Sequence, residues 1–157
     1  MKLSCIIRSH RWASLVVLII AGCSPAAPGP KLVPVEGIIT FDGKPLGAAD
    51  IMFVPRGETK GQGGVAHTDA GGTFELLSQD RKFKGAPVGD YRVVINKLVK
   101  PDGSDYVPDP NAGPMDTGGF KELLPVVYSD MGQTKLETIV PEGGTKNLEF
   151  KLQSKSR

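Results

Sequence analysis

The chain has 157 residues, with 19 basic and 17 acidic side chains and a formal net charge of +2. This length is typical of one domain, and the near balance of charge excludes the strongly basic field of a nucleic-acid-binding protein. Three of the basic residues precede residue 12, and without them the balance becomes 16 minus 17, or −1.

The chain begins with a positively charged leader that carries Lys2, Arg8 and Arg11 and no acid. An uncharged run, WASLVVLIIAG, follows from Trp12 to Gly22. It is shorter than the roughly 20 apolar residues that span a membrane, but it fits the apolar region of a secretory signal, which has roughly 7–15 residues. Residues 1–22 are therefore predicted to be a signal peptide.

The apolar run ends on Ile20-Ala21-Gly22-Cys23, which resembles the lipobox of bacterial lipoproteins: an aliphatic residue, two small residues and a cysteine. In that family the cysteine is linked to diacylglycerol and the chain is cleaved before it. The resemblance implies cleavage between Gly22 and Cys23, lipidation of Cys23 and a membrane anchor on the exported side of the cell envelope, with Ser24 favouring the outer membrane. Two alternatives are a plain secretory signal in which Cys23 is incidental and a cytosolic protein with an apolar N-terminal helix.

Loss of the signal peptide would also remove Cys5 and His10, which leaves one cysteine, Cys23, and one histidine, His67. The mature chain would then have no second thiol with which to form an internal disulfide. Acylation explains why a single cysteine is tolerated in an exported chain, where an unpaired thiol is unusual.

The rest of the chain is predicted to comprise a Pro/Ala/Gly-rich tether (23–32), one β domain (33–152) and a polar tail (153–157). Short runs of alternating apolar and polar residues, separated by Gly, Pro and Asp, predict an all-β fold. Seven strands are predicted: VEGIITF (35–41), DIMFV (50–54), VAHTD (65–69), TFELL (73–77), YRVVINK (91–97), KLETIV (135–140) and NLEFKL (147–152). Seven is the number typical of a small Greek-key β-sandwich.

A segment rich in Pro, Gly and Asp interrupts this pattern as a long loop at 98–128. Loops longer than about 12–15 residues in a compact domain are usually functional or disordered. An apolar stretch from Phe120 to Tyr128 is expected to fold back onto the sheet edge. Tyr106, Phe120 and Tyr128 are the aromatic residues of the loop, and we take them as a candidate partner surface for an envelope protein or a glycan.

Ordered motifs across the domain resemble the carboxypeptidase regulatory-like, or transthyretin-like, family. They are V-x-G-x-x-T-x-D-G-K-P-L-x-x-A-x-I-x-F-x-P (35–55), TDAGGTFEL (68–76), GAPVGDYRVVI (85–95), LPxxYSD (124–130) and the final NLEFKL. The resemblance covers nearly the whole predicted mature chain. It implies a seven-stranded prealbumin-like sandwich, often exported or lipid-anchored and usually without catalytic activity.

Few residues suggest catalysis or metal binding. His67 could act as a base or a ligand, but no serine is marked as its nucleophile, so we interpret it as an ordinary strand residue. Calcium, which takes 6–8 oxygen ligands, is an alternative for the acidic loop, although the EF-hand pattern is absent. The four acids of that loop are Asp102, Asp105, Asp109 and Asp116.

Other activities fit the sequence less well. The predicted mature chain has too few histidines and cysteines to supply the four ligands of a structural zinc site. The glycine-rich GETKGQGG (57–64) does not have the residue spacing of a phosphate-binding P-loop. The 5-hydroxyisourate hydrolases of the transthyretin-like fold use several histidines and a Tyr-Arg-Gly-Ser terminus, whereas this chain ends in KLQSKSR. The sequence therefore favours a non-enzymatic, cofactor-free envelope module with a structural or protein-interaction role, and a carbohydrate-binding lipoprotein is the alternative.

Overall fold

The computed structural model describes residues 29–106 and 119–155. The predicted signal peptide, Gly22, Cys23 and most of the tether lie outside the described residues. The chain is predominantly β, with 47% strand and almost no helix. The described elements are β1 (Leu32–Val33), β2 (Val35–Phe41), β3 (Lys44–Pro45), β4 (Asp50–Pro55), β5 (Gly64–His67), β6 (Thr73–Glu75), β7 (Leu77–Ser78), β8 (Ala86–Pro87), β9 (Gly89–Asn96), β10 (Leu98–Val99), β11 (Lys121–Glu122), α1 (Val126–Ser129), β12 (Glu137–Val140) and β13 (Thr145–Leu152).

Each of the seven predicted segments overlaps one of the longer strands, because alternation over several residues is a local signal. The segment 73–77 divides in two: β6 belongs to one sheet and β7 to the other. Six strands of two residues were not predicted, since two residues carry no detectable period. They are β1, β3, β7, β8, β10 and β11.

The larger sheet has five strands in the order β12-β9-β4-β5-β7, all paired antiparallel. The long central strands β4 and β9 direct alternate side chains into the core, and Val94 on the other face of β9 is also buried, at 3% exposed. Ile51 and Phe53 of β4, with Val93 and Ile95 of β9, are 0–2% exposed and face inward, whereas Asp50 lies on the outer face.

The smaller sheet is built around β2. It pairs in parallel with β13 on one side and antiparallel with β3 and β6 on the other. The last strand of the domain is therefore hydrogen-bonded to its first long strand, with Phe150 opposite Ile39 and Leu152 opposite Phe41.

The core lies between the inner faces of the two sheets. Phe53 of the larger sheet packs against Phe74 and Phe150 of the smaller sheet, with ring centroids 6.5 and 6.3 Å apart. Gly37 makes this packing possible, because a Cβ on it would lie 2.8 Å from the Phe74 ring. Tyr91 completes the aromatic cluster at 5.7 Å from Phe53.

The strand pairings define two ends of the domain. The N-terminal pole contains β1, β8, the loop 56–63 and the turn 141–144. This turn is held next to β1 because the Thr145 N–H donates to the Pro34 carbonyl at 2.8 Å. The distal pole contains the turns 42–43 and 46–49, the loop 68–72, and residues 97–106 and 119–130. In the larger sheet, Asp50 pairs with His67 on one side and with Asn96 on the other, so these three residues mark the end of the sheet that lies at the distal pole.

Residues 121–134 cover the C-terminal half of the β9 edge, as the sequence predicted for the apolar stretch 120–128. Strand β12 pairs only with Gly89–Arg92, so the remaining backbone of β9 needs other partners. Thr134 supplies one of them, since its hydroxyl donates to the Val93 carbonyl at 2.9 Å.

Candidate functional site

The distal pole carries an aromatic pair made of the half-buried Tyr106 and the exposed Phe120. Their ring centroids lie 4.6 Å apart with 38° between the ring planes, and 43% of Phe120 is exposed. Contacts at this distance are typical of favourable aromatic packing. The structure thus brings together two of the three aromatic residues that the sequence singled out.

Short strands beneath the pair hold its two halves in place. Strands β10 and β11 pair antiparallel, with Leu98 opposite Glu122 and Val99 opposite Lys121. The Tyr106 backbone N–H donates to the Leu98 carbonyl at 3.1 Å. Phe120 directly precedes β11, so both rings are fixed to the same pair of strands.

Lys97 anchors the first half of this site to the body of the domain. Its ammonium donates to the Gly47 carbonyl at 2.5 Å and to Asp105 Oδ1 at 2.6 Å. The lysine side chain is 10% exposed and the aspartate side chain 53%. The interaction therefore joins a nearly buried cation to a carboxylate that keeps contact with solvent.

Glu122 anchors the second half. Its Oε1 accepts hydrogen bonds of 2.9 Å from the backbone N–H groups of Lys97 and Leu124. Its Oε2 accepts one of 3.1 Å from the Asn96 side-chain amide. One carboxylate thus accepts hydrogen bonds from both the end of β9 and the chain after β11. The sequence gave no signal for this role, because Glu122 is a single glutamate within a predicted loop.

Tyr128, the third predicted residue, lies apart from this pair. It belongs to α1, packs against the hydrophobic core, and its hydroxyl accepts a hydrogen bond of 3.2 Å from the Gln153 backbone N–H. Two apolar side chains of the same segment, Leu123 and Val126, are instead 40% and 50% exposed. Together with Tyr106 and Phe120 we call them the distal apolar surface.

His67 lies on the outer face of the larger sheet. Its Nδ1 is 3.0 Å from Asp50 Oδ1, and both side chains are more than half exposed. Among the described residues this is the only hydrogen bond of the imidazole, so no serine or threonine hydroxyl there is placed to be activated by it. The geometry is that of a cross-strand surface pair.

An open depression of about 720 Å³ lies over the outer face of the smaller sheet, and the sequence had not indicated it. Its floor includes Ile38, and its charged rim includes Glu36, Glu75 and Lys146. The rim is largely self-neutralised, because Lys84 pairs with Glu75 at 2.8 Å and Lys146 with Glu36 at 3.7 Å. Leu148 lines the depression together with Ile38, and His67 is also part of its lining.

The acids considered for calcium do not converge in the described part of the chain. Asp102 accepts hydrogen bonds of 2.9 and 2.7 Å from the Ser104 N–H and hydroxyl, and these bonds lower the pKa of its carboxyl group. Asp105 is bound to Lys97, and Asp109 and Asp116 lie outside the described residues. Within 29–106 and 119–155, no three or more His, Cys, Asp or Glu side chains are grouped to hold a metal ion.

The described ranges also contain no helix with the length and apolar character needed to cross a membrane. Comparison with protein-family models, with curated proteins and with solved structures finds no match to this chain. The chemistry of the residues themselves is therefore the basis for a functional proposal.

Proposed function

We propose that this protein is a lipid-anchored, non-enzymatic module of the cell envelope that acts as a structural or protein-interaction element. The observation that carries the proposal is Ile20-Ala21-Gly22-Cys23 at the end of a short apolar run behind a basic leader. Cys23 would be the anchor, on the exported side of a membrane, and Ser24 favours the outer membrane. A diacylglycerol provides two acyl chains, which suffices for stable anchoring where one does not.

The proposed fold family is the seven-stranded Greek-key sandwich of the carboxypeptidase regulatory-like and transthyretin-like domains. Two features support it: the inner faces of two sheets share one core, and each predicted strand corresponds to one of the longer strands. The proposed domain comprises residues 33–152, and the described strands lie between Leu32 and Leu152.

A non-enzymatic role is supported by the surroundings of the single histidine of the predicted mature chain. Activation of a serine or threonine nucleophile requires the base to lie within hydrogen-bond reach of its hydroxyl. The partner of His67 among the described residues is Asp50, which is itself exposed. The aromatic pair of Tyr106 and Phe120 is better suited to binding than to proton transfer.

The anchor is tested by replacing Cys23 with Ser and separating membranes from soluble protein. We expect Cys23→Ser to release the protein into the soluble fraction and to abolish incorporation of labelled fatty acid. Cys5→Ser is the matched control, because that cysteine would leave with the signal peptide, and it should stay membrane-bound. Membrane retention and labelling of Cys23→Ser would contradict the proposal.

The interaction role is tested by capturing partners of the anchored protein from its own envelope. Phe120→Ala should weaken recovery of a specific partner, since exposed aromatic residues contribute strongly to protein interfaces. Ile139→Ala is the control, because Ile139 is 68% exposed but lies on β12, away from the distal pole. Equal loss with both variants would count against the distal apolar surface.

A carbohydrate-binding role is the second candidate, and the Tyr106–Phe120 pair favours it. Aromatic rings exposed on β folds can stack on the apolar faces of sugars. A glycan array probed with the chain from Ser24 would show binding that Tyr106→Ala and Phe120→Ala abolish. No array signal, together with partner capture that depends on Phe120, would favour the protein-interaction role.

A further inference from the structure

A second exposed aromatic residue, Phe83, lies on the N-terminal half of the domain, far from the distal apolar surface. Its side chain is 62% exposed. It belongs to a tight hairpin of residues 78–84, which we call the Phe83 hairpin, and which reads SQDRKFK. Phe83 is flanked in the sequence by three basic residues: Arg81 and Lys82 precede it, and Lys84 follows it.

The Phe83 hairpin is firmly built. The Ser78 N–H donates to the Phe83 carbonyl at 2.7 Å, and the Phe83 N–H donates to the Ser78 hydroxyl oxygen at 3.0 Å. The Ser78 hydroxyl in turn donates to Asp80 Oδ1 at 2.6 Å. A phenylalanine presented to solvent on an ordered turn loses little entropy when it enters an apolar environment.

The hairpin carries a net positive charge. Lys84 is paired with Glu75 at 2.8 Å, and Lys82 is 3.6 Å from Asp80. Within the described ranges Arg81 has no ion-pair partner, and its side chain is exposed. Residues 78–84 contain three basic side chains and one acidic side chain, so their formal net charge is +2.

The hairpin lies next to the start of the described chain. Directly after it, Ala86 pairs with Val33 and Pro87 with Leu32. Pro30 and Pro87 both approach Gly61, within 2.9 Å of where its Cβ would be. Val88, which follows β8, is a further exposed apolar residue at 40%.

The distance to the proposed anchor is short. Six residue steps separate Cys23 from Gly29, and each extended residue spans at most about 3.6 Å. Residue 29 therefore lies within roughly 20 Å of the lipidated cysteine, however the intervening chain is arranged. An anchored domain is held with its N-terminal pole, and not its distal pole, towards the lipid surface.

We propose that the Phe83 hairpin is a second membrane contact, which docks on an anionic bilayer surface with Phe83 in the interface and Arg81 and Lys82 against lipid headgroups. This rests on the proposed anchoring, which supplies the short tether. Basic residues near an anionic leaflet and an aromatic residue at headgroup level are the two components of such contacts. A weak contact suffices, because the tether keeps its local concentration high. The distal apolar surface would then face away from the membrane.

The test uses a chain that starts at Ser24, which keeps every described residue and carries no lipid. This chain has no tryptophan, because Trp12 precedes it, so Phe83→Trp introduces a single fluorescent probe. With vesicles of phosphatidylglycerol and phosphatidylcholine, its emission should shift to the blue, and added salt should reverse the shift. Phe120→Trp, the matched probe at the distal pole, should not shift.

Binding is measured in parallel by sedimentation with the same vesicles. Arg81→Gln and Lys82→Gln should each weaken the apparent affinity by about fivefold, and Phe83→Ala should weaken it further. Equal binding to pure phosphatidylcholine vesicles, equal shifts of both tryptophan probes, or no binding at about 1 mM lipid, the effective concentration that a short tether provides, would overturn the proposal. Because the chain carries no lipid, these outcomes are independent of whether Cys23→Ser releases the protein from membranes.

Discussion

Lys97 Nζ lies 2.6 Å from Asp105 Oδ1, and the two residues differ strongly in exposure, at 10% and 53% of their side chains. Removing the aspartate leaves a nearly buried ammonium without its carboxylate, whereas removing the ammonium leaves a carboxylate that water can solvate. Loss of one partner of a buried ion pair is costly because of the charge left behind. The two halves of the pair should therefore respond unequally to mutation.

We expect Asp105→Ala to lower the free energy of unfolding by about 1–3 kcal/mol, and Lys97→Met to lower it by less. The double variant should resemble Lys97→Met, since the buried charge is then gone. Urea unfolding monitored by circular dichroism gives all three values. A larger loss for Lys97→Met than for Asp105→Ala would show that the hydrogen bond from the ammonium to the Gly47 carbonyl, and not the charge left unpaired, matters more.

Glu122 should stabilise the support of the aromatic pair through its hydrogen bonds. Glu122→Ala leaves the N–H groups of Lys97 and Leu124 without their acceptor, at a cost of about 2 kcal/mol. Hydrogen exchange should accelerate at these two amides. Glu122→Gln keeps an acceptor at Oε1 and should cost less. Glu142→Ala in an exposed turn is the control and should stay within about 0.5 kcal/mol of wild type.

Thr68 is a buried polar residue, 2% exposed, that joins two loops of the distal pole. Its hydroxyl accepts from the Ala49 N–H at 2.9 Å and donates to the Leu46 carbonyl at 2.7 Å. Thr68→Val keeps the shape but leaves both backbone groups unpaired, which should cost about 2 kcal/mol. Thr68→Ser keeps the hydroxyl and should lose less stability in the same urea titration. A larger loss for Thr68→Ser than for Thr68→Val would assign the role of Thr68 to its methyl group.

Tyr91 makes stability depend on pH at the alkaline end. The side chain is fully buried, and its hydroxyl donates to the Pro87 carbonyl at 2.7 Å. Burial raises the pKa of Tyr91 from 10.0 to about 12. Its contribution is fully present below pH 10 and is lost as the pH rises towards 12, because the unfolded state then releases a proton that the folded state retains.

The expected result is an unfolding free energy that falls by at most about 1.4 kcal/mol per pH unit on account of Tyr91 in that window. Tyr91→Phe should be less stable at pH 8, because it lacks the hydrogen bond, and should show a shallower fall above pH 10. Urea midpoints at several pH values measure both slopes. Parallel slopes for wild type and variant would contradict the assignment.

The longer strands could be predicted from the sequence because each is a local alternation. The inward residues Tyr91, Val93 and Ile95 are each 0% exposed, as the pattern of 91–97 predicted. The pairing of β13 with β2 could not be predicted, since it depends on how segments far apart in the chain meet. The alternation of apolar and polar residues in either strand does not indicate which strand it pairs with, or whether the pairing is parallel.

The candidate site was predictable in part. Tyr106 and Phe120 stood out as aromatic residues within a loop rich in Pro, Gly and Asp, and they do contact each other. Tyr128 met the same criterion, but α1 turns it towards the core, and composition alone does not distinguish the two cases. Lys97 and Glu122 were missed because their importance comes from partners distant in sequence, Gly47 and Asn96, and not from their own neighbours.

The parallel pairing of β2 with β13 joins the first long strand of the domain to its last strand, so the smaller sheet depends on the end of the chain. Ile39 stays without its partner until Phe150 is available, so the smaller sheet cannot be completed on a growing chain before residue 150 has emerged. Folding that depends on such distant contacts is slow. The strands of the larger sheet end at Val140, so that sheet can form first, whereas the smaller sheet closes only when the last strand of the domain meets its first long strand.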